Sequence, residues 1–474
     1  MPRLLSFIYQ KRSLFLAIWG VFVASLMLIS LSHHAMWRDE MQAWAIARDS
    51  ASFSDFFLNL GFECFPPLWH GLLKGLQVFC DDPAAMQVLH GILALLNLFL
   101  ILRMSPLPVF VRILVAASLP FAYQYAVISR CYALGLSFLM LALVARQRRK
   151  PMAFWALLGL GCQTTILETG VAIVLALRQW LISPSLLKTE KRGVALFVLL
   201  AAFSVWMSIP PAERMAASDI VWRGHLLELF ALFSWSWTAN IFAYSSVLPY
   251  IAESLFILLL CGIVFFRDWR GQAAFFCLIL GFAAIDQLAY GLAPPHLLLL
   301  PVGFFLLLWQ NPPQGSALQK AAMAFLFLPL TVMGLGQLAF PPDIPYSQSQ
   351  NVANWIETNG LKFEFWVSLP DYTGTPVAGY LGRQFYNPQC DCETAAPHWA
   401  KNNIPAKDLE QLFALSDAAM RKRGVSMAYF LLGDIWGQKS ISLPPGLHLE
   451  PLAEFKGSAI RDEQYTVFRA TRRP

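Results

Sequence analysis

The sequence predicts an α-helical polytopic membrane protein with about eleven transmembrane helices and a C-terminal extracytoplasmic α/β domain. Three observations lead there. Hydrophobic residues make up 57% of the 474-residue chain and charged residues only 14%, against roughly 25% charge in an ordinary soluble domain. The apolar residues concentrate before Phe340, in stretches approaching the ~20 residues that a helix needs to cross hydrocarbon. Beyond Phe340 the composition becomes that of a soluble domain. Together these exclude an ordinary cytosolic enzyme, a disordered chain and a nucleic-acid-binding module.

Taken in order, the apolar stretches are 13–32, 86–102, 109–123, 132–145, 152–167, 170–182, 193–209, 247–266, 271–290, 296–309 and 321–340. The first is not a cleavable signal, because no small-residue cleavage site follows it. Orientation follows from basic residues, which accumulate on the cytoplasmic side. With the N-terminus inside, about 16 of the about 22 Lys and Arg before residue 341 fall in inner loops, among them Arg3, Lys11, Arg12, Arg103, Arg146, Arg148, Arg149, Lys150, Arg267 and Arg270. An odd number of spans then sends the C-terminus outside. Most acids, including Asp39, Glu40, Asp49, Asp55, Glu63, Asp81 and Asp82, fall outside. That bias suits either exposed polar loops or an acidic site.

We place the membrane domain at 1–340, with a first outer loop at 33–85, and the extracytoplasmic domain at 341–474. The tail carries roughly 13 basic and 14 acidic residues, so the net charge of +6 arises in the membrane part and is no sign of nucleic-acid binding. Within the tail, 348–359 and 406–423 read as helices, and 363–369, 427–432 and 465–469 as strands. Helices and strands in alternation suggest an α/β domain. Cys131, Cys162, Cys261 and Cys277 read as core fillers of the spans. Outside, where disulfides persist, Cys64 and Cys80 could pair, whereas a Cys390–Cys392 bridge would close a very tight ring and is not expected. No spacing matches a zinc site.

The first outer loop opens with His33-His34-Ala-Met-Trp37-Arg38-Asp39-Glu40. Adjacent carboxylates just beyond a span are costly near hydrocarbon. They suit metal coordination, general-base work on a hydroxyl, or capping of a helix over 40–47 by Asp39. Residues 50–58 have helical spacing beside a polar face, as in a helix lying on a membrane surface. Glu63-Cys-Phe-Pro66-Pro67-Leu68-Trp69-His70 follows. Pro67 can start a helix over 68–79, too short to cross and carrying Lys74. Glu63 alone could be a solvated loop acid.

A first span, an Asp-Glu pair and a Pro-Pro-Leu-aromatic helix start together resemble the GT-C fold glycosyltransferases. The resemblance is strongest to the protein mannosyltransferase and aminoarabinose transferase group, including the Rgt-type lipopolysaccharide-core enzymes of bacteria. It rests on Trp37-Arg38-Asp39-Glu40 and Glu63-Cys-Phe-Pro66-Pro67-Leu68-Trp69, and covers the chain to about residue 182. Such enzymes move a monosaccharide from a polyprenyl-phosphate donor to an envelope lipid, glycan or protein outside the bacterial inner membrane. The resemblance implies Asp39 as the base, with Glu40 and Glu63 orienting the acceptor beside Arg38, Trp69 and His70. The second outer loop carries Arg130-Cys131-Tyr132, where Arg130 could bind the donor phosphate or simply anchor at the interface with Tyr132. That loop has no Asp, and Phe65 stands where relatives have His. A divalent cation such as Mg or Mn, held through Asp39, Glu40 or Glu63 oxygens, is left open.

Four further polar residues, Glu168, Glu253, Asp286 and His296, fall near the outer ends of spans. They read either as lining a shared outer cavity or as structural pairs between helices. The segment 226–246, with Trp235 and Trp237, reads as an interfacial or re-entrant cover. No phosphate loop or Walker lysine appears, and no inverted repeat is evident. The rivals to a transferase are a transporter or flippase of a lipid-linked saccharide, and a polysaccharide ligase or polymerase.

Overall fold

The structure is a computed structural model that describes residues 2–211, 228–238, 246–288, 291–313, 315–339, 344–397, 403, 406, 408–435 and 442–472. It divides into two compact units. The first is helical and contains Met1–Ser32, Leu89–Ser208 and the later apolar helices. The second joins His33–Val88 to the described residues after Pro342. The first outer loop, which sequence groups with the membrane part, therefore belongs to the same compact body as the C-terminal sheet.

All eleven apolar stretches are helical over most of their described residues. Four are long and apolar enough to cross a membrane: Lys11–His33, Ala84–Met104, Val247–Val264 and Ala317–Ala339. The count of eleven is not reached on length and composition, for local reasons. The 109–123 stretch breaks after the eight-residue helix Val109–Ala116 and continues as a wide turn, Leu119–Gln124. The 152–167 stretch ends its helix at Gly161. Ile166–Ile182 and Lys191–Met207 have 17 residues each, which at about 1.5 Å per residue falls short of the ~30 Å hydrocarbon layer. Large apolar side chains such as Leu14, Ile18, Val21, Leu199 and Leu259 stand exposed on these helices. In a water-soluble fold that surface would be an aggregation hazard. The protein is accordingly a membrane protein with a mostly helical apolar unit. Inside that unit, Trp237, Phe265 and Phe275 each pack edge to face on Phe304, and Phe327 lies tilted against Trp237. Trp237 is thus a core residue and not an interfacial cover, while 226–227 and 239–245 lie outside the described residues. Cys277 is exposed, unlike the buried Cys131, Cys162 and Cys261.

The second unit is built on a six-stranded sheet. Its strands are β1 (Trp366–Leu369), β2 (Phe385–Asn387), β3 (Cys392–Thr394), β4 (Met427–Gly433), β5 (Leu447–Phe455) and β6 (Tyr465–Arg472). Their order is β3-β2-β1-β4-β6-β5. β2, β1 and β4 are parallel, and the remaining pairings are antiparallel. Alternate residues face opposite sides, as a pleated strand requires. On one face Trp366, Tyr429 and Leu431 pack with Val352, Ile356, Val377 and Leu381 from the helices Ser349–Thr358 and Asp371–Leu381. On the other, Val367, Phe430 and Ala428 pack with Leu412, Phe413 and Met420 from the helix Leu409–Arg423. The expected α/β domain is present as this three-layered sheet. Cys390 and Cys392 form a disulfide, while Cys64 and Cys80 do not pair with each other. The tight ring closes because Asp391, between the two cysteines, adopts a left-handed φ of 53°.

Three helices of the first outer loop belong to this unit: Arg38–Asp49, Phe53–Glu63 and Leu68–Gln77. Arg38–Asp49 lies on Asp371–Leu381, with Ala45 inside the sheet's core and Met41 against Gly379. A Cβ on Gly379 would sit 2.8 Å from the Met41 Sδ, so the close approach depends on that glycine.

Candidate functional site

The Arg38–Asp49 helix starts one residue after Trp37, whose extended backbone makes it the cap. Asp39 is therefore inside the first turn and does not cap the helix. Glu40 serves that role: its Oε2 accepts the Trp37 amide at 3.2 Å and lies 2.7 Å from His34 Nε2. Glu40 and His34 are both buried, and the Gln87 side chain holds the His34 carbonyl at 2.9 Å. The His34 ring packs on Tyr346, 4.8 Å between centroids. Asp39, by contrast, keeps 29% of its side chain exposed. A carboxylate in a helix's first turn suits the helix dipole, and Asp39 Oδ1 also lies 3.9 Å from the Arg38 Nε.

The backbone on either side of Asp39 is clasped by the sheet domain. The Met36 amide donates to the Tyr380 hydroxyl at 2.8 Å, and the Met36 carbonyl accepts from Ser349 at 2.9 Å. The Arg38 amide donates to Glu463 Oε1 at 3.0 Å, and Arg38 Nη1 donates to Asp462 Oδ2 at 2.5 Å. The guanidinium lies over the rings of Trp37 and Tyr372, each centroid 5.2 Å away. Burial alone would lower the Arg38 pKa, but Asp462, Glu463 and Asp39 outweigh it and hold the guanidinium above its usual value. Burial pushes the Glu463 carboxyl up to about 7.

The other loop residues singled out from sequence are structural neighbours of this helix. Glu63 accepts the Gln42 side-chain amide. Trp69 and His70 are buried on the Leu68–Gln77 helix, where His70 lies beside Phe65. Lys74 ties that helix to the Ala47 and Ser50 carbonyls at 3.0 and 2.8 Å. Glu40, committed to His34 and the Trp37 amide, is no longer an open metal ligand. Among the described residues no three His, Cys, Asp or Glu side chains gather as a metal site.

In the helical unit, Arg130 and Tyr132 sit at the start of the helix Tyr132–Gln147. The Arg130 guanidinium lies 5.4 Å from the Tyr132 ring centre. Tyr132 is flanked by Tyr125 at 5.0 Å and His296 at 6.4 Å. The Tyr125 hydroxyl donates to the Pro295 carbonyl at 2.5 Å, and His296 Nδ1 accepts the Ala293 amide at 3.0 Å. Neutral His296 therefore carries its proton on Nε2. An arginine beside an imidazole N–H and two phenols is suited to an anion.

Among the described residues, the hydrogen bonds seen for Glu168, Glu253, Asp286 and His296 do not join the four to one another, as a shared outer cavity would have them. Arg130, Tyr132 and His296 come together. Glu253 instead accepts from Ser234. Asp286 closes its own helix end, accepting the Leu292 amide at 2.7 Å and the Gln287 side chain at 2.8 Å. Glu168 is buried and accepts from Thr164 and Thr165. The reading as pairs between helices fits Glu253, which bonds to Ser234 of the helix Glu228–Thr238, whereas the hydrogen bonds seen for Asp286 and Glu168 are to donors of their own turns. Sequence reasoning missed Tyr372, Tyr380, Asp462 and Glu463. Arg38 and Asp462 are 424 residues apart, and no local pattern joins them.

No protein-family model matches the chain, and no curated protein matches it significantly.

Proposed function

We propose that the protein is a GT-C-like glycosyltransferase of the bacterial inner membrane. It moves a monosaccharide from a polyprenyl-phosphate donor to an envelope acceptor on the extracytoplasmic side. The observation that carries this reading is the contrast at Trp37-Arg38-Asp39-Glu40. A buried framework of Glu40, His34, Tyr380 and Glu463 holds the turn, while Asp39 is left accessible at its surface.

In this reading Asp39 takes the proton of an acceptor hydroxyl. The oxygen attacks the anomeric carbon, the bond from that carbon to the phosphate oxygen breaks, and polyprenyl phosphate leaves with the electron pair. A single displacement inverts the anomeric centre. Within the helical unit, Arg130 beside Tyr132 and His296 is suited to hold a phosphate anion. The exposed Phe53, Leu58, Val78 and Phe79 on the loop helices fit a membrane-surface position.

An odd number of spans, of which eleven is one, follows if loop and tail lie on one side. The first outer loop and the tail share one compact unit, so the chain between them crosses the membrane an even number of times. Three helices between them, Ala84–Met104, Val247–Val264 and Ala317–Ala339, meet the length and hydropathy for a span. An odd three cannot return the chain, so shorter apolar helices must cross as well. Ten crossings satisfy the requirement.

The test is release of polyprenyl phosphate from a synthetic polyprenyl-phosphate sugar by purified protein with an acceptor extract. Asp39→Asn is expected to lower turnover by roughly 10²-fold or more. Full activity of that variant would eliminate Asp39 as base, and export of saccharide without transfer would favour a transporter.

A further inference from the structure

Two basic loops of the helical unit are fastened together, and the transferase reading makes no use of them. The first, Arg146-Gln-Arg148-Arg149-Lys150, joins the helix Tyr132–Gln147 to Pro151–Gly161. The second, Lys188-Thr-Glu190-Lys191-Arg192, leads into the helix Lys191–Met207. Glu190 is the link. Its Oε1 accepts Arg146 Nη1 at 2.8 Å, and its Oε2 accepts Trp155 Nε1 at 2.7 Å. Glycines let the two helices that follow run together from this end. A Cβ on Gly193 would sit 2.5 Å from the Trp155 Cδ1, and one on Gly159 would sit 2.5 Å from the Leu200 Cδ1.

The charge left over is of one sign. Glu190 is the one acid in the two loops, and Arg146 takes up its charge. Arg148, Arg149 and Lys150 follow on one side, with Lys188, Lys191 and Arg192 on the other, and all of them are exposed. Arg149 adopts a left-handed φ of 56° just past the end of Tyr132–Gln147, where a helix ordinarily takes glycine. A cation thus stands there against the backbone preference. The same end of the unit exposes apolar side chains. Met152 is in the first turn of Pro151–Gly161, and Trp180 and Ile182 close the helix Ile166–Ile182, whose chain continues into the second loop. Val198 and Leu199 are exposed about two turns along Lys191–Met207. Tryptophan and cations at the end of apolar helices are the composition of a membrane interface.

We propose that Arg148, Arg149, Lys150, Lys188, Lys191 and Arg192 form a docking surface for the headgroup of an anionic phospholipid. The two loops hold the phosphodiester, and the acyl chains lie along the exposed apolar side chains of the adjoining helices. Clusters of about four to eight Lys and Arg beside the end of a span attract acidic lipid in this way. An acidic protein or a nucleic acid would answer the charge alone, but not the apolar helix surface beside it. Such docking is independent of the transferase reading, since it needs only the two loops and a bilayer.

The experiment titrates full-length protein in detergent with phosphatidylglycerol or phosphatidylcholine and counts bound lipid by native mass spectrometry. Phosphatidylglycerol is expected to bind in preference, more weakly as salt rises, and excess inorganic phosphate should not displace it. Arg148→Gln, Arg149→Gln and Lys150→Gln together are expected to weaken its binding on the order of 10²-fold, about fivefold per charge. Lys188→Gln, Lys191→Gln and Arg192→Gln together should do the same. Arg267→Gln with Arg270→Gln, in another basic loop, should leave binding unchanged. If a triple variant fails to fold, Arg149→Gln and Lys191→Gln singly carry the test, each with a loss of about fivefold. Equal binding of the two lipids overturns the proposal, as does an equal loss in the Arg267 and Arg270 variant or unchanged affinity in folded variants of the two loops. Displacement by inorganic phosphate overturns it in favour of a free anion as the ligand.

Discussion

Asp39 and Glu40 are adjacent in sequence and have opposite surroundings. Glu40 is fully buried, with Oε2 shared between His34 and the Trp37 amide. Removing it leaves both donors without their acceptor inside the unit. The expected cost of Glu40→Ala is about 2–3 kcal/mol, from the buried hydrogen bonds it makes to His34 and the Trp37 amide. Asp39→Asn, at the surface, should leave stability within about 0.5 kcal/mol. Thermal unfolding in detergent would check this, with a folded but inactive Asp39 variant beside a destabilised Glu40 variant. Equal destabilisation by both would contradict the division of roles. The Arg-Asp-Glu run was legible as a candidate site because charge is rare beside a span. Which acid faces inward was not legible, because that depends on His34, Gln87 and Tyr346.

Apolar helices were readable from sequence where hydrophobic runs are unbroken, and their ends were not. In the helical unit, Ala317–Ala339 runs against the break that follows Val109–Ala116, where Thr331 donates to the Leu114 carbonyl at 2.9 Å. Gly334 permits the contact: a Cβ there would lie 2.3 Å from the Ala117 carbonyl oxygen. Backbone cannot yield as a side-chain tip can, so Gly334→Ala is expected to cost about 1–3 kcal/mol by overpacking. Gly336, on the same helix, has open space around its Cβ direction. Gly336→Ala should be neutral or stabilising by up to about 1 kcal/mol, since alanine is the better helix former. Melting temperatures of the two variants in one detergent would test the pair, and equal shifts would refute the packing argument. The same physics hid the helix Asp371–Leu381 from sequence reading. It contains Pro376 and glycines, which propensity assigns to a loop. Gly379 is required there by Met41, a residue more than three hundred positions away. β5 was hidden for another reason. Most of its residues are half-exposed or exposed, so it carries no run of apolar residues to announce a strand.

At the scale of the whole molecule, the shared unit of loop and tail constrains the topology more tightly than hydropathy does. Hydropathy could not decide whether a 16- or 17-residue apolar helix crosses. The hydrogen bonds from Arg38 to Asp462 and Glu463, and from Ser349 to Met36, bear only on the parity of the crossings between them. They require residues 33–88 and the tail to lie on one side of the membrane, whatever happens between them. In the orientation we propose, Arg146, Arg148, Arg149 and Lys150 lie on the cytoplasmic side, as the accumulation of basic residues there would have it. Single cysteines at Ser54, Glu450 and Lys150, with exposed Cys80 and Cys277 replaced by serine, test both statements. A membrane-impermeant maleimide on intact spheroplasts should label positions 54 and 450 and reach 150 only after permeabilisation. Labelling of 54 and 450 from opposite sides would break the parity argument and the shared unit with it. Labelling of 150 alone in intact spheroplasts would keep the unit and invert the orientation, which would place Asp39 on the cytoplasmic side and remove the basis for an extracytoplasmic transferase.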